Sequence, residues 1–138
     1  MKQFIRYAIV AALAATSLAQ AADMTIDIAG LKNARGKVMV AVYDRADNFL
    51  KQPMRTSTVD AQAGTVHMLL TGLPAGDYAI SLYHDENGNG KLDKNPLGMP
   101  IESYGFSNDA AGNYGPPSFQ QAQVHLLDTG TTVTVNLR

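Results

Sequence analysis

The sequence predicts an all-β protein, a single antiparallel β-sandwich or barrel of about seven strands. Short runs in which apolar and polar residues alternate recur along the chain, and turn residues separate them. No sustained helical period follows the first 21 residues. One long segment rich in Gly, Asn and Pro, 85–118, interrupts this pattern. Together these features are typical of a small β domain that carries one long loop.

The amino terminus has the pattern of a secretory signal peptide, which we predict over residues 1–21. Lys2 and Arg6 provide a basic start, the run 7–18 is almost wholly apolar, and residues 19–21 fit the small-x-small pattern before a cleavage site. The apolar run is well short of the roughly 20 residues that a membrane-spanning helix needs. We therefore expect a soluble, exported protein, periplasmic or extracellular, with no stable membrane anchor after cleavage.

Cleavage there leaves residues 22–138 as one domain, long enough to bury a core without cross-links. It also removes two basic residues, which shifts the net charge from −1 to about −3. The sequence has no basic patch, so we expect no nucleic-acid partner. The chain contains no cysteine, which excludes disulfides and lipid attachment to a cysteine.

The alternation of apolar and polar residues predicts where each strand lies along the chain. In the run 78–84, for example, the apolar residues Tyr78, Ile80 and Leu82 fall on one face. The turn at 73–77 contains Pro and Gly, which favour the backbone angles of a turn. The predicted strands are 24–28, 37–44, 56–61, 65–70, 78–84, 121–127 and 131–137, with one helical turn near 48–50.

The start of the long loop matches most of an EF-hand calcium loop. Such loops bind Ca²⁺ through oxygens at positions 1, 3, 5, 7, 9 and 12, with Gly at position 6 for a sharp turn. With Asp85 at position 1, suitable residues occupy the next ligand positions, the glycine position and the apolar position 8: Asn87, Asn89, Gly90, Lys91 (through its carbonyl), Leu92 and Asp93. The loop therefore predicts a Ca²⁺ site.

The predicted calcium site is incomplete, because position 12 is Pro96 and supplies no carboxylate. Glu102 or Asp109 would have to fold back to complete it. We expect weak affinity, with a dissociation constant of about 10⁻⁴ to 10⁻³ M, and a structural role for the ion. The alternative is a plain turn, since Asn-Gly occurs twice in the loop and Asp85 can cap it.

No motif of a catalytic site is present. His67 and His125 lie in separate predicted strands, and the sequence has no Gly-x-Ser-x-Gly or Ser-x-x-Lys nucleophile motif. We expect a protein that is not an enzyme. A small hydrolase that uses His84 with Asp85 or Glu102 is the less favoured alternative.

Aromatic residues cluster in or beside the long loop. Tyr104, Phe106, Tyr114 and Phe119 could present a stacking surface to a sugar or peptide, with the first three as ligand contacts. They could equally pack inward and order the loop, since burial of each ring contributes roughly 1.5–3 kcal/mol.

The residues also resemble a known family. The runs 72–80, 84–93, 98–100, 104–108 and 115–119, together with Glu102, resemble the family known as domain of unknown function 2141. The resemblance covers nearly all of residues 22–138. It implies a small exported bacterial protein with a transthyretin-like or carboxypeptidase-regulatory-like sandwich, and it assigns no activity or catalytic residue. Our own fold prediction is a transthyretin-like or immunoglobulin-like sandwich.

The sequence therefore predicts an exported, non-enzymatic binding or accessory module with a weak structural Ca²⁺ site. The predicted metal ligands are Asp85, Asn87, Asn89, Lys91, Asp93 and Glu102. Carbohydrate or peptide binding by the loop aromatics is the alternative function.

Overall fold

A computed structural model describes residues 20–138. It contains eight strands, two short 3-10 turns (Ala46–Asn48 and Ser107–Asp109) and one short helix, α1 (Phe119–Ala122). The strands are β1 (Ala21–Leu31), β2 (Lys37–Tyr43), β3 (Arg55–Asp60), β4 (Gly64–Pro74), β5 (Gly76–Asp85), β6 (Tyr104–Phe106), β7 (Val124–Leu126) and β8 (Thr131–Asn136).

The strands form two sheets, so the predicted all-β class is correct. A three-stranded sheet has the order β4-β1-β8, and a five-stranded sheet has the order β3-β2-β5-β6, with β7 also paired to β5. Most pairs are antiparallel, as expected. The exception is β1 with β8, which run parallel.

The main core lies between the two sheets and contains buried apolar side chains from both. In β1 the alternate residues Met24, Ile26 and Ile28 are fully buried, and in β5 Ile80 and Leu82 meet them from the other sheet. Each such side chain contributes roughly 1.5–3 kcal/mol relative to an exposed position. The period of two in the sequence therefore identified the inward faces of these strands.

A second apolar cluster covers the opposite face of the five-stranded sheet. Phe49, from the segment between β2 and β3, lies at its centre, and its ring centroid is 5.2 Å from that of Tyr43 and 6.0 Å from that of Phe119. Phe106 of β6 is 6.4 Å away. This aromatic cluster (Tyr43, Phe49, Phe106 and Phe119) packs the long segment after β5 against the sheet.

The segment 85–118 is more ordered than the sequence predicts. It contains β6, which pairs with Ser81–Tyr83 of β5, and an isolated bridge between Lys94 and Pro100. Its polar groups are also used: the buried Ser107 hydroxyl accepts a hydrogen bond from the Ile80 N–H at 2.8 Å.

The predicted strand 121–127 is only partly correct, since its first residues belong to α1. A capping box begins this helix: Ser118 accepts from the Gln121 N–H, and the Gln121 side chain accepts from the Ser118 N–H. β7 is therefore shorter than predicted. The predicted helical turn at 48–50 overlaps the observed 3-10 turn at Asn48.

Of the predicted signal peptide, residues 1–19 lie outside the described residues, and Ala21 is the first residue of β1. Among the residues that are described, no helix has the length and apolar character to cross a membrane.

We predict that Phe49→Ala lowers the free energy of unfolding by about 3–5 kcal/mol, because it leaves a cavity among three other rings. Urea unfolding measures this change. Leu69→Ala is the matched control, since Leu69 is 59% exposed on the other sheet, and its cost should stay within about 1 kcal/mol. Equal losses in the two variants would show that the cluster does not hold the segment.

Candidate functional site

The loop 85–93 is wound around the carboxylate of Asp85. This side chain is buried, and its Oδ1 accepts hydrogen bonds from the N–H groups of Gly88 (2.9 Å) and Asn89 (3.2 Å). Its Oδ2 accepts from the Gly90 N–H at 2.8 Å. Gly90 has a φ of 74°, a left-handed conformation that glycine adopts without strain. Asp85 therefore does cap the turn.

The structure brings Asn87, Asn89 and Asp93 together. The Asn89 side-chain amide donates to Asp93 Oδ1 at 2.8 Å, and the Asn87 amide donates to Asp93 Oδ2. The two Oδ1 atoms of the asparagines accept from the N–H groups of Asn89 and Lys91. The side-chain oxygens of four predicted ligands thus lie within one compact turn, and hydrogen bonds close this turn.

Glu102 folds back onto this loop, whereas Asp109 does not. The Glu102 carboxylate is buried and accepts from the N–H of Glu86 at 3.1 Å and from that of Asp93 at 3.0 Å. Asp109 instead accepts from the Asn136 side chain at 3.0 Å. Glu102 therefore ties the two ends of the loop together.

The base of the loop is held against the turn between β1 and β2. Glu86 accepts hydrogen bonds from Asn33 (3.1 Å) and Arg35 (2.6 Å). The bond from Asn33 lowers the pKa of the Glu86 carboxyl, and the Arg35 charge acts in the same direction. At Gly36 a Cβ atom would lie 1.9 Å from the Asp85 carbonyl oxygen, so only glycine fits there.

The donor set of the loop suits a hard cation, because all of its candidate ligands are oxygens. Only two of the loop ligands, Asp85 and Asp93, are carboxylates. No group of three or more His, Cys, Asp or Glu side chains within residues 20–138 is placed to hold a metal ion. A cation here would depend on the asparagine oxygens and the Lys91 carbonyl, so the Ca²⁺ site stays a prediction.

The three histidines lie apart. His84 is fully buried in β5 with its Nε2 2.6 Å from the Arg35 carbonyl oxygen. His67 pairs with Asp27, and His125 pairs with Asp77, on exposed surfaces. Burial of His84 separates it from solvent, which does not favour a role as a general base.

A groove of about 780 Å³ lies on the outer face of the five-stranded sheet, next to the aromatic cluster. Its floor is formed by residues of β5 and β6, which pair in register so that their side chains share this face. Two parts of the long segment and one residue before β3 form its sides. The main lining residues are Ser81, Tyr83, Tyr104 and Phe106 on the floor and Leu50, Leu92, Lys94, Met99, Pro100, Tyr114 and Pro116 around it.

The groove unites the three aromatic residues that the sequence singled out as ligand contacts. Phe106 is buried, Tyr104 is half-buried and Tyr114 is fully exposed, and all three line the groove. The expectation that the rings pack inward is therefore correct for Phe106, whereas ligand contact by these residues stays a prediction. Phe106 and Phe119 order the segment, while Tyr104 and Tyr114 are accessible.

Two bulky apolar residues of the groove have a strained backbone. Leu50 has a φ of 59° and Tyr114 a φ of 56°, and each side chain is exposed. A positive φ is a genuine outlier for a large side chain and costs of order 1–3 kcal/mol. Such outliers concentrate at functional sites.

Tyr83 joins the groove to the acidic loop, and sequence reasoning missed it. Its hydroxyl donates to the Gly90 carbonyl oxygen at 3.0 Å. Burial raises the pKa of the Tyr83 phenol, and the negative charges of Asp85, Glu102 and Asp93 raise it further. The signal was present: because Ile80 and Leu82 face the core, Tyr83 must face the opposite side.

The chain was also compared with known proteins. No curated protein and no solved structure matches it significantly. A family model described as an uncharacterized protein conserved in bacteria (DUF2141) matches residues 26–134, which include both sheets, the acidic loop and the groove. The chain therefore belongs to the DUF2141 family.

Proposed function

We propose that this protein is an exported, non-enzymatic binding module that takes a small ligand in the groove. The observation that carries the proposal is the pair of strained, exposed apolar residues, Leu50 and Tyr114, beside a floor of tyrosines. An exposed ring in a strained conformation lowers stability without a gain from packing. A ligand that stacks on the ring would offset that cost.

The size and lining of the groove support ligand binding. Its volume of about 780 Å³ falls within the roughly 300–1,000 Å³ of small-molecule sites, which are mostly apolar with a few polar groups. Here the polar side-chain groups are hydroxyls and the Lys94 amine. Binding of a carbohydrate or peptide by loop aromatics would use this same groove, since Tyr104 and Tyr114 line it.

The hydrolase alternative has less support. His84 lies in the core and does not line the groove, and the groove lining includes no carboxylate. Hydroxyl groups without an adjacent base are weak nucleophiles. The lining therefore suits binding better than catalysis.

We also propose that the loop 85–93 is a weak Ca²⁺ site that stabilises one side of the groove. Support comes from the compact set of oxygens in Asp85, Asn87, Asn89 and Asp93, with Glu102 at the loop ends. The asparagine amides would turn so that their oxygens face the cation. Leu92, at position 8, lines the groove. The ion would thus have a structural role.

We also propose a more specific fold class for the two sheets. The core shared by both sheets supports a transthyretin-like or immunoglobulin-like sandwich. An exported location would follow from a signal peptide over residues 1–21, whose basic and apolar pattern supports it.

We predict that the groove binds the neutral apolar fluorophore N-phenyl-1-naphthylamine, and that Tyr114→Ala weakens this binding by about threefold to tenfold, the value of one aromatic contact. Fluorescence titration measures the affinity. The free energy of unfolding should change by less than about 1 kcal/mol, because the ring is exposed and its backbone strained. Tyr104→Ala should weaken binding as well.

Leu69→Ala is the control for this experiment, because it removes an exposed apolar side chain on the other sheet. If the two tyrosine variants bind the fluorophore as tightly as Leu69→Ala does, the groove is not the binding site and the proposal fails.

For the metal, we predict that 10 mM CaCl₂ raises the melting temperature by several degrees relative to a chelator. A dissociation constant of about 10⁻⁴ to 10⁻³ M gives about 1.4–2.7 kcal/mol at that concentration. Asp93→Ala should abolish the shift, whereas Asp128→Ala, at an exposed turn, should keep it. Equal melting temperatures with Ca²⁺, Mg²⁺ and chelator would rule out the site.

A further inference from the structure

The lining of the groove includes one basic side chain, that of Lys94. Lys94 is exposed and lines the groove, and no carboxylate is among the lining residues. The ion pairs within residues 20–138 involve other residues, so no carboxylate of the described chain pairs with Lys94. An acid group of a ligand in the groove could therefore pair with the Lys94 ammonium group without competition from a lining carboxylate.

The nearby carboxylates are engaged elsewhere. Asp93, next to Lys94 in the chain, accepts from the side-chain amides of two asparagines, and Asp85 accepts three backbone N–H groups. Glu102 accepts two more. Their negative charges reach the Tyr83 phenol. These carboxylates would repel an anion in the groove. The attraction of Lys94 would have to offset that repulsion.

The remainder of the lining suits an apolar body. Tyr104, Phe106 and Tyr114 provide aromatic surface, while Leu92 and Met99 provide aliphatic surface. Met99 is 61% exposed, so a ligand would cover apolar area that water now contacts. Aromatic faces with one fixed charge select ligands that are apolar at one end and charged at the other.

We propose that the groove binds an organic anion with an apolar or aromatic body, with its acid group at Lys94. This inference rests on the proposed function and names the ligand class of the same groove. Tyrosines contact the body of the ligand and Lys94 contacts its carboxylate, sulfonate or phosphate group.

Two probes that share one ring system test the proposal. 1-Anilinonaphthalene-8-sulfonate is anionic, and N-phenyl-1-naphthylamine has the same rings without the sulfonate. The wild-type protein should bind the anionic probe more tightly. Lys94→Gln should weaken binding of the anionic probe by about threefold to tenfold and leave that of the neutral probe unchanged within about twofold. Lys94→Arg, which keeps the charge, should retain most of the affinity.

Lys32→Gln is the control for net charge, since it removes an exposed lysine that does not line the groove. Equal affinity for both probes, or equal losses for both in Lys94→Gln, would overturn the anion assignment while leaving the groove as a binding site. If neither Tyr104→Ala nor Tyr114→Ala affects either probe, the proposed function itself fails.

Competition then distinguishes the two sources of such anions. Displacement of the sulfonate probe by dodecanoate assigns an aliphatic acid, and displacement by 2-naphthoate assigns an aromatic acid. Both competitors should lose potency in Lys94→Gln. Failure of both to displace the probe from the wild-type protein would contradict an organic acid as the ligand.

Discussion

Burial of aromatic rings on the outer face of the five-stranded sheet fixes the segment on which the candidate site depends. A connection of more than thirty residues would lose much conformational entropy on ordering, roughly 1–2 kcal/mol for each residue. Phe106 and Phe119 place both halves of this segment against Phe49 and Tyr43. Because Phe49 comes from a different part of the chain, the segment is held by long-range packing and not only by its own turns.

Hydrogen bonds to buried carboxylates complete that arrangement at the start of the segment. Asp85 accepts hydrogen bonds from three N–H groups of the acidic loop. Glu102, just before β6, accepts hydrogen bonds from N–H groups at both ends of the loop. A buried carboxylate is stabilised when N–H groups satisfy its oxygens. The segment that begins with this closed loop contributes Leu92 and Lys94 to the lining of the groove, so the acidic loop and the groove are parts of one structure.

The candidate site was predictable only in part. The spacing of Asp85, Asn87, Asn89 and Asp93 indicated a tight polar turn, and the structure contains it. The groove could not be read from spacing, because its floor belongs to one strand pair and its sides to distant segments. The strain at Tyr114 is likewise a result of how the chain closes around the groove, and no local residue pattern encodes it.

The sequence by itself determined the all-β class, the faces of the long strands and the position of the long loop, because alternation of side chains is a local property with a period of two. Only the tertiary structure decided which strands pair. β6 pairs with the edge of β5 at Ser81–Tyr83, and β8 pairs with β1 in parallel. Helix α1 occupies the start of a predicted strand. Pairing of distant strands depends on packing across the whole domain, which short-range patterns do not specify.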